Sequence, residues 1–159
     1  MEENSESNAS KQHKPQEGDV EIATGAFIIR DDKLFLATGS KFHDEWVVPG
    51  GHLNFRENAK QCIEREVMEE INVKINAIEM FSVTEATHRV VKGRARHFIF
   101  LNWKCEVVTG EPKLDGVEFT KMTWMPIEQA LIDPKVTGSV KASIKAWNEK
   151  KIIVQYNGR

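Results

Sequence analysis

The most constraining feature of the sequence is a Pro-Gly-Gly turn followed by a helical pattern rich in glutamate. The turn spans residues 49–51, where glycine lets the backbone bend sharply and approach a ligand closely. Ala59, Ile63 and Val67 then recur at a spacing of four, which is typical of a helix with one apolar face. We predict a helix over residues 59–71 that packs beside the turn.

This helix carries a cluster of acidic side chains. Residues three and four apart share a helical face, so Glu66 lies beside both Glu69 and Glu70. The three carboxylates repel one another, and pairing of Arg65 with Glu69 relieves part of that repulsion. A divalent cation would relieve more, since Mg²⁺ prefers carboxylate oxygens and shares its shell with substrate phosphates. A solvated acidic face without chemistry is the alternative reading.

The spacing of these residues resembles the signature of the Nudix (MutT-like) hydrolases. In that signature a glycine is followed, after five residues, by Glu and, after seven more, by Arg-Glu-apolar-any-Glu-Glu-any-Gly-apolar. The chain matches it at Gly51, at Glu57 and over residues 65–73, with Asn72 in place of the second glycine. Because Asn tolerates the left-handed conformation at a helix end, the departure changes little.

The resemblance implies a Mg²⁺- or Mn²⁺-dependent hydrolase of nucleoside diphosphates linked to another group. Residues 50–55, Gly-Gly-His-Leu-Asn-Phe, resemble the corresponding stretch of nucleoside triphosphate pyrophosphatases. The leading reaction is therefore (d)NTP to (d)NMP plus pyrophosphate. Two alternatives stay open: hydrolysis of a sugar-nucleotide or another nucleoside diphosphate derivative, and a non-catalytic ligand-sensing domain.

The resemblance also assigns roles by position. The expected metal-binding positions are Gly50, Gly51, Glu57, Glu66, Glu69, Glu70 and Glu118. The expected catalytic residues are Glu66, Arg65 and Glu69. Glu66 is expected to be a metal ligand or the general base, and Arg65 to orient the glutamates. Glu118 stands for the late acidic residue that many relatives carry before a tryptophan, with Asp115 and Glu111 as alternatives.

A second set of residues is expected to bind substrate. Its members are His52, Arg89, Arg94, Arg96, Phe35 and Trp124. The arginines fall in a basic stretch that we expect to be a loop holding phosphates. Phe35 and Trp124 are aromatic rings that can stack on a base, although core packing is the alternative for each. His52 directly follows the glycines and can touch phosphate or metal.

The rest of the chain reads as one α/β domain over residues 19–159, preceded by a disordered tail over residues 1–18. Apolar runs predict strands at 20–30, 33–38, 46–48, 77–85, 96–108 and 121–125. Helical patterns fall at 59–71, 127–131 and 138–150. Strands and helices do not alternate regularly, which favours a mixed β-sheet between helices. The resemblance implies the same arrangement, an α/β/α sandwich.

Charge and composition limit the classes of partner that we expect for this protein. The formal net charge of the 159 residues is −2, and four Glu against two Lys in residues 1–18 supply it. A balanced domain does not read as a nucleic-acid or membrane binder, so we expect a nucleotide substrate and no stable nucleic-acid partner. The polar N-terminus and two isolated cysteines predict a cytoplasmic protein with reduced thiols. Relatives often form homodimers, which is the assembly that the resemblance implies.

Overall fold

The computed structural model describes residue 16 and residues 18–91 and 93–156, so the predicted tail over residues 1–18 lies almost wholly outside them. The elements in chain order are β1 (Val20–Arg30), β2 (Lys33–Thr38), a 3-10 helix (Ser40–Phe42), α1 (Ala59–Ile71), β3 (Lys74–Val91), β4 (Arg94–Thr109), β5 (Lys121–Pro126), α2 (Ile127–Ile132), α3 (Gly138–Glu149) and β6 (Ile153–Tyr156). Strands and helices are mixed along the chain, as expected.

Six strands form one mixed sheet in the order β5-β2-β1-β4-β3-β6. The central pair, β1 and β4, is parallel and runs in register from Val20 opposite His97 to Ile28 opposite Cys105. The β1–β2, β2–β5 and β3–β4 pairs are antiparallel, and β3 pairs with β6 in parallel. The N-terminal half of β1 therefore lies at the middle of the sheet, where the site is built.

Helices cover both faces of the sheet. Successive side chains of β1 point to opposite faces, so Ala26 and Ile28 join one core cluster and Phe27 joins the other. The apolar face of α1 fills the first cluster, and α2 and α3 fill the second. The helical residues buried in the two clusters are Ile63, Val67 and Ile71 on α1, and Ala130, Val140 and Ile144 on α2 and α3. The predicted α/β/α architecture is confirmed.

Helix α1 has the predicted bounds because both of its ends are capped. The Asn58 side chain accepts from the Gln61 N–H at 2.9 Å, and the Gln61 side chain accepts from the Asn58 N–H at 3.1 Å, which forms a capping box. Asn72 ends the helix in the left-handed conformation, with φ of 56°. Its N–H donates to the Met68 carbonyl at 3.1 Å.

Two sequence predictions of local structure are wrong, and one strand was not predicted. The basic stretch after residue 85 is not a loop, because β3 and β4 stay paired as far as Val91 and Arg94. Exposed charged side chains do not stop a strand from pairing when its backbone finds a partner. Residues 46–48 form isolated bridges to Ala37 and Val136 instead of a strand of the sheet. Strand β6, which lies beside β3, was not predicted.

Two compositional expectations concern the cysteines and membranes. Cys62 and Cys105 are both buried and unpaired, as expected of small apolar side chains. Burial raises the pKa of the Cys62 thiol to about 11, which keeps it protonated. Among the described helices, none is long and apolar enough to cross a bilayer.

Candidate active site

The glycine turn is held in place by the edge of β1. Thr24 N–H donates to the Gly51 carbonyl at 2.8 Å, and Ala26 N–H donates to the Pro49 carbonyl at 2.8 Å. Leu53 N–H donates back to β1 at 3.0 Å. Residues 49–53 thus run antiparallel to β1 and occupy the edge that β2 leaves uncovered, which fixes the turn beside α1.

Both glycines are required by close contacts. Gly50 has φ of 152°, and a Cβ there would lie 2.0 Å from the Thr24 carbonyl oxygen. A Cβ on Gly51 would lie 2.4 Å from Cδ of Glu66. The Gly50 N–H donates to Oε2 of Glu70 at 2.9 Å. The missing side chains therefore let two carboxylates of α1 rest directly on the turn.

Arg65 organises the acidic side chains around it. Its Nε and Nη2 donate to the two oxygens of Glu57 at 2.7 and 2.9 Å. Its Nη1 donates to Glu66 at 2.7 Å and to Glu69 at 3.3 Å. Nη2 also donates to the carbonyl of His52 at 3.2 Å, which ties α1 to the turn. These hydrogen bonds hold the pKa of Glu57 below its ordinary value, so Glu57 stays ionised and supports Arg65.

Glu70 and Glu66 are carboxylates without enough positive charge around them. Glu70 is 5% exposed, and burial raises its pKa to about 9 despite the Gly50 N–H, with Glu118 and Glu66 adding repulsion. Burial also raises the pKa of Glu66, against the lowering effect of Arg65. Glu118 faces both glutamates and forms an ion pair with Lys41.

The chemistry of these carboxylates suits a divalent cation, but their arrangement in the structure does not form a complete metal site. Among the described residues, no group of three His, Cys, Asp or Glu side chains is arranged to hold a metal. Arg65 and Lys41 occupy the places that cations would take beside Glu66 and Glu118. Because a buried carboxylate without a cationic partner is costly, Glu70, with Glu66 and Glu118 near it, fits Mg²⁺ and its preference for oxygen ligands.

The remaining acidic positions predicted to bind metal have other partners in the structure. The Glu69 side chain is 60% exposed, accepts from Arg65 at 3.3 Å, and its negative charge helps to raise the pKa of Glu66. Both oxygens of Glu57 are taken by Arg65. Of the alternatives to Glu118, Asp115 accepts three backbone N–H groups of its own loop, and Glu111 pairs with Arg30 at 3.1 Å. The structure thus brings Glu66, Glu70 and Glu118 together, keeps Glu69 beside Glu66, and gives Glu57, Asp115 and Glu111 other partners.

A cavity of about 690 Å³ opens beside the glutamates. Its acidic lining residues are Asp19, Glu21, Glu66, Glu70 and Glu118, and its basic ones are Lys41, His52, Arg89 and Arg96. Its aromatic lining residues are Phe27, Phe42, Phe55, Phe98 and Phe100. Buried polar side chains of β3, β4 and α3 also reach it, namely Thr84, Asn102 and Ser143. A volume in this range accommodates a nucleotide-sized ligand.

The predicted binding residues His52, Arg96 and Arg89 lie in this cavity, but two of them are tied to one carboxylate. Glu21, whose side chain is 2% exposed, accepts from Arg96 and contacts His52 Nε2 at 2.6 Å. Burial raises the pKa of Glu21, but these hydrogen bonds outweigh it and hold the pKa below its ordinary value. The Arg89 guanidinium lies over the stacked rings of Phe98 and Phe100.

Three predicted substrate-binding residues lie elsewhere. Phe35 is fully buried between the sheet and α1 and packs edge-to-face on Trp124 at 5.3 Å. Trp124 packs on the same core, and Arg30 covers its ring. Arg94 is exposed at the far end of the hairpin. The structure therefore does not place these three side chains at the cavity, because alternate side chains of β2 and β5 point into the core and the hairpin carries Arg94 away from it.

Sequence reasoning missed two polar residues that the cavity uses. Glu21 interrupts the apolar start of β1, and Asn102 directly follows the apolar run at residues 98–101 of β4, which is the signal that marks them. A charged or amide side chain in such a strand must find partners, because burying it unpaired is costly. The partners lie far along the chain, so the sequence does not identify them.

With this geometry described, comparison with known proteins gives the family. A family model for the NUDIX domain matches residues 20–147. The chain therefore belongs to the Nudix family of hydrolases.

Individual relatives are more distant. Diphosphoinositol polyphosphate phosphohydrolase 3-alpha of Mus musculus is 30% identical over 103 residues, covering 64% of this chain and 60% of that protein. Nudix hydrolase 6 of Arabidopsis thaliana is 26% identical over 153 residues, covering 89% of this chain and 47% of that protein. In both cases the chain spans less than two thirds of the relative's own length.

Solved structures share the fold. A MutT protein from Methanosarcina mazei Go1 superposes with a TM-score of 0.72 at 18% identity, covering 86% of this chain and 98% of that one. A UDP-X diphosphatase superposes with a TM-score of 0.64 at 15% identity, covering 89% and 68% of the two chains. At these identities the likeness concerns the fold alone.

Proposed function

We propose that this protein is a Mg²⁺-dependent pyrophosphohydrolase of nucleotides, with (d)NTP to (d)NMP plus pyrophosphate as its leading reaction. The observation that carries the proposal is the pair Glu66 and Glu70, whose carboxylates rest on the Gly50–Gly51 turn at the wall of a nucleotide-sized cavity. Mn²⁺ is the alternative metal.

The chain's own residues would act as follows. Glu66 and Glu70 would hold the metal, and Glu118 would join them when Lys41 releases it or moves to a phosphate oxygen. When bound, the metal would polarise phosphoryl oxygens and lower the pKa of a bound water. Arg65 fixes Glu66 through the 2.7 Å hydrogen bond, which keeps that carboxylate aligned as ligand or base. Glu69, exposed beside Arg65, stays a candidate for either role.

The charge of the cavity favours a nucleotide over a more heavily phosphorylated substrate. Several curated relatives are named for diphosphoinositol polyphosphates, which carry phosphates around a small ring. Of the described cationic side chains that line this cavity, Lys41 pairs with Glu118 and Arg96 with Glu21. Arg89 lies on two aromatic rings. Such a cavity suits one phosphate chain and an aromatic group, because a polyphosphorylated ring needs many uncommitted cations.

A second candidate reaction is hydrolysis of a sugar-nucleotide or another nucleoside diphosphate derivative. The same carboxylates would serve it, since both reactions break an anhydride next to a nucleoside phosphate. The fold shared with a UDP-X diphosphatase keeps this candidate open. The products separate the two reactions: pyrophosphate leaves a triphosphate, whereas a diphosphate conjugate gives two phosphorylated halves.

The test is a substrate panel with purified protein and Mg²⁺, with products separated by ion-exchange chromatography. The panel contains canonical and oxidised dNTPs, ADP-ribose, GDP-sugars, a dinucleoside polyphosphate and a diphosphoinositol polyphosphate. We expect one nucleotide to give monophosphate and pyrophosphate. Glu70→Gln should lower turnover by at least about 100-fold, because it removes a charged metal ligand.

A matched control is Glu64→Gln, on the same helix but turned towards β3, where its carboxylate accepts from the Ala77 N–H at 3.3 Å. It should keep full activity. Equal loss in both variants would show that any charge change on α1 is harmful and would sink the proposed site. Turnover of only a diphosphate conjugate would keep the site and change the substrate. No turnover with Mg²⁺ or Mn²⁺ would favour the ligand-sensing alternative.

A further inference from the structure

One buried polar cluster at the cavity wall has no part in the metal chemistry. Asn102 on β4 lies opposite Gly25 on β1 and Ser82 on β3 in the sheet register. With Thr84 and Ser143 it forms a network in which every residue is at most 4% exposed. An amide and three hydroxyls are costly to bury in a core, so a specific arrangement must hold them.

The donor and acceptor of each hydrogen bond in this network can be assigned in order, starting from a backbone carbonyl. The Ser143 hydroxyl donates to the carbonyl of Ser139 at 2.9 Å, and a carbonyl can only accept. Its one proton is then used, so at 2.9 Å Ser143 accepts from the Thr84 hydroxyl. Thr84 has used its proton in turn, so it accepts from the Asn102 side chain at 2.8 Å.

This chain of donors orients the Asn102 amide. Its Nδ2 lies 2.8 Å from Thr84 and 3.1 Å from both Ser82 and Ser143, so the NH₂ group faces the hydroxyls. Because Thr84 and Ser143 have no proton left to donate, only the NH₂ end of the amide can face them. The Oδ1 atom must therefore point the other way.

Oδ1 faces the cavity at a place that Gly25 leaves open. No described residue donates a hydrogen bond to Oδ1, and the atom is not sealed within the protein. A Cβ on Gly25 would lie 2.8 Å from Oδ1 and 3.3 Å from Val48. Asn102, Gly25 and Val48 all line the cavity. The result is a rigid acceptor beside an apolar part of the cavity wall.

We propose that Asn102 is a specificity-determining residue whose Oδ1 accepts a hydrogen bond from an N–H of the substrate's base. This inference rests on the proposed function in taking a nucleotide as the ligand. A preorganised acceptor of this kind selects strongly, because an analogue without the N–H leaves a buried polar atom unpaired. The Val48 side chain and the Phe98–Phe100 stack provide the apolar surroundings that such a base requires.

The experiment measures binding of nucleoside 5′-monophosphates to the full chain by calorimetry without metal, so that no hydrolysis occurs. The probes are AMP, CMP, GMP and UMP, together with analogues in which each base N–H is removed or methylated. For the best-bound monophosphate, wild type should lose at least about tenfold in affinity when the critical N–H is absent. Asn102→Leu should bind that nucleotide and its analogue within about twofold of each other.

Two further variants make the result specific. Asn76→Leu changes an amide at the outer end of β3, where it contacts Lys60 and Glu106, and should keep the wild-type preference. Gly25→Ala places a Cβ 2.8 Å from Oδ1, closer than van der Waals contact, so it should displace or cover that oxygen and lose the preference. If Asn102→Leu does not fold, Gly25→Ala decides alone.

The outcomes separate this inference from the proposed function. An unchanged preference in Asn102→Leu, or in Gly25→Ala where that variant decides, would overturn the role of Asn102. Equal binding of all bases and analogues by wild type would also overturn it, while nucleotide hydrolysis in the substrate panel would stand. If wild type binds no monophosphate, the inference fails, and the panel alone then decides whether the hydrolase proposal survives with a different substrate.

Discussion

At the scale of single residues, the acidic site depends on one guanidinium that contacts four oxygen-bearing groups at once. Arg65 reaches Glu57 with two nitrogens while also contacting Glu66, Glu69 and the carbonyl of His52. A lysine has one nitrogen and cannot reproduce this planar geometry. The role of Arg65 therefore depends on the planar shape of its guanidinium and not on its charge alone.

Arg65→Lys should accordingly lose activity although it keeps the charge. We expect turnover to fall at least about tenfold and the free energy of unfolding to fall by about 1–3 kcal/mol, the usual range for lost hydrogen bonds to charged groups. Steady-state kinetics and urea denaturation measure the two effects. The control is Arg56→Lys, an exposed arginine outside the site. Wild-type turnover in Arg65→Lys would mean that only the charge matters.

Glu21 gives a prediction about pH. Its pKa is lower in the folded protein than the ordinary 4.5, because hydrogen bonds from Arg96 and His52 outweigh the effect of burial. Folding therefore favours the ionised carboxylate. Its contribution to stability is complete above about pH 4.5 and is lost as the pH falls through the pKa of Glu21 in the folded protein. The stability gap between wild type and Glu21→Gln should be widest near neutral pH and should narrow on acidification.

Urea denaturation across this pH range measures the gap. Glu79→Gln, at an exposed glutamate of β3, serves as the control and should give a smaller gap than Glu21→Gln near neutral pH. A gap for Glu21→Gln that widens on acidification would contradict the assignment of Glu21 as an ionised partner of Arg96.

At the scale of elements, the sequence predicted those parts whose signals are local. Helix α1 has a four-residue apolar period and a cap at each end, so its bounds of 59 and 71 could be read directly. The β3–β4 hairpin could not, because its basic stretch is extended by backbone pairing between two strands. The roles of Asn102 and Glu21 were also not predicted, because they depend on partners in other elements that the fold brings together.

Substitutions at the C-terminal cap of α1 test the one departure from the family signature, which is Asn72 in place of glycine. Asn72 has φ of 56°, a conformation that suits Gly, is tolerated by Asn and is costly for a β-branched residue. Asn72→Val should lower the free energy of unfolding by about 1–2 kcal/mol. Asn72→Gly should stay within about 1 kcal/mol of wild type. Thermal and urea denaturation measure both, and equal stability of the two variants would show that the cap conformation is unimportant.

At the scale of the whole molecule, folding and metal binding are coupled through the buried carboxylates. The pKa of Glu70 is raised to about 9, so folding favours its neutral form. Without metal, this carboxyl group therefore costs the folded protein progressively more stability as the pH rises from about 4.5 towards 9. A bound divalent cation would remove that cost by pairing with the ionised form.

Mg²⁺ should therefore raise the melting temperature, and by more at alkaline than at acidic pH. At a concentration 100 times its dissociation constant, a ligand adds about 2.7 kcal/mol, or roughly 5–10 °C for a domain of this size. Circular dichroism melts with EDTA and with Mg²⁺, near pH 6 and near pH 9, measure the shift. In Glu70→Gln the shift should shrink, and the metal-free variant should melt at or above wild type near pH 9. A full Mg²⁺ shift in Glu70→Gln would mean that the cation binds elsewhere on the protein, because this variant has lost the carboxylate on which the coupling depends.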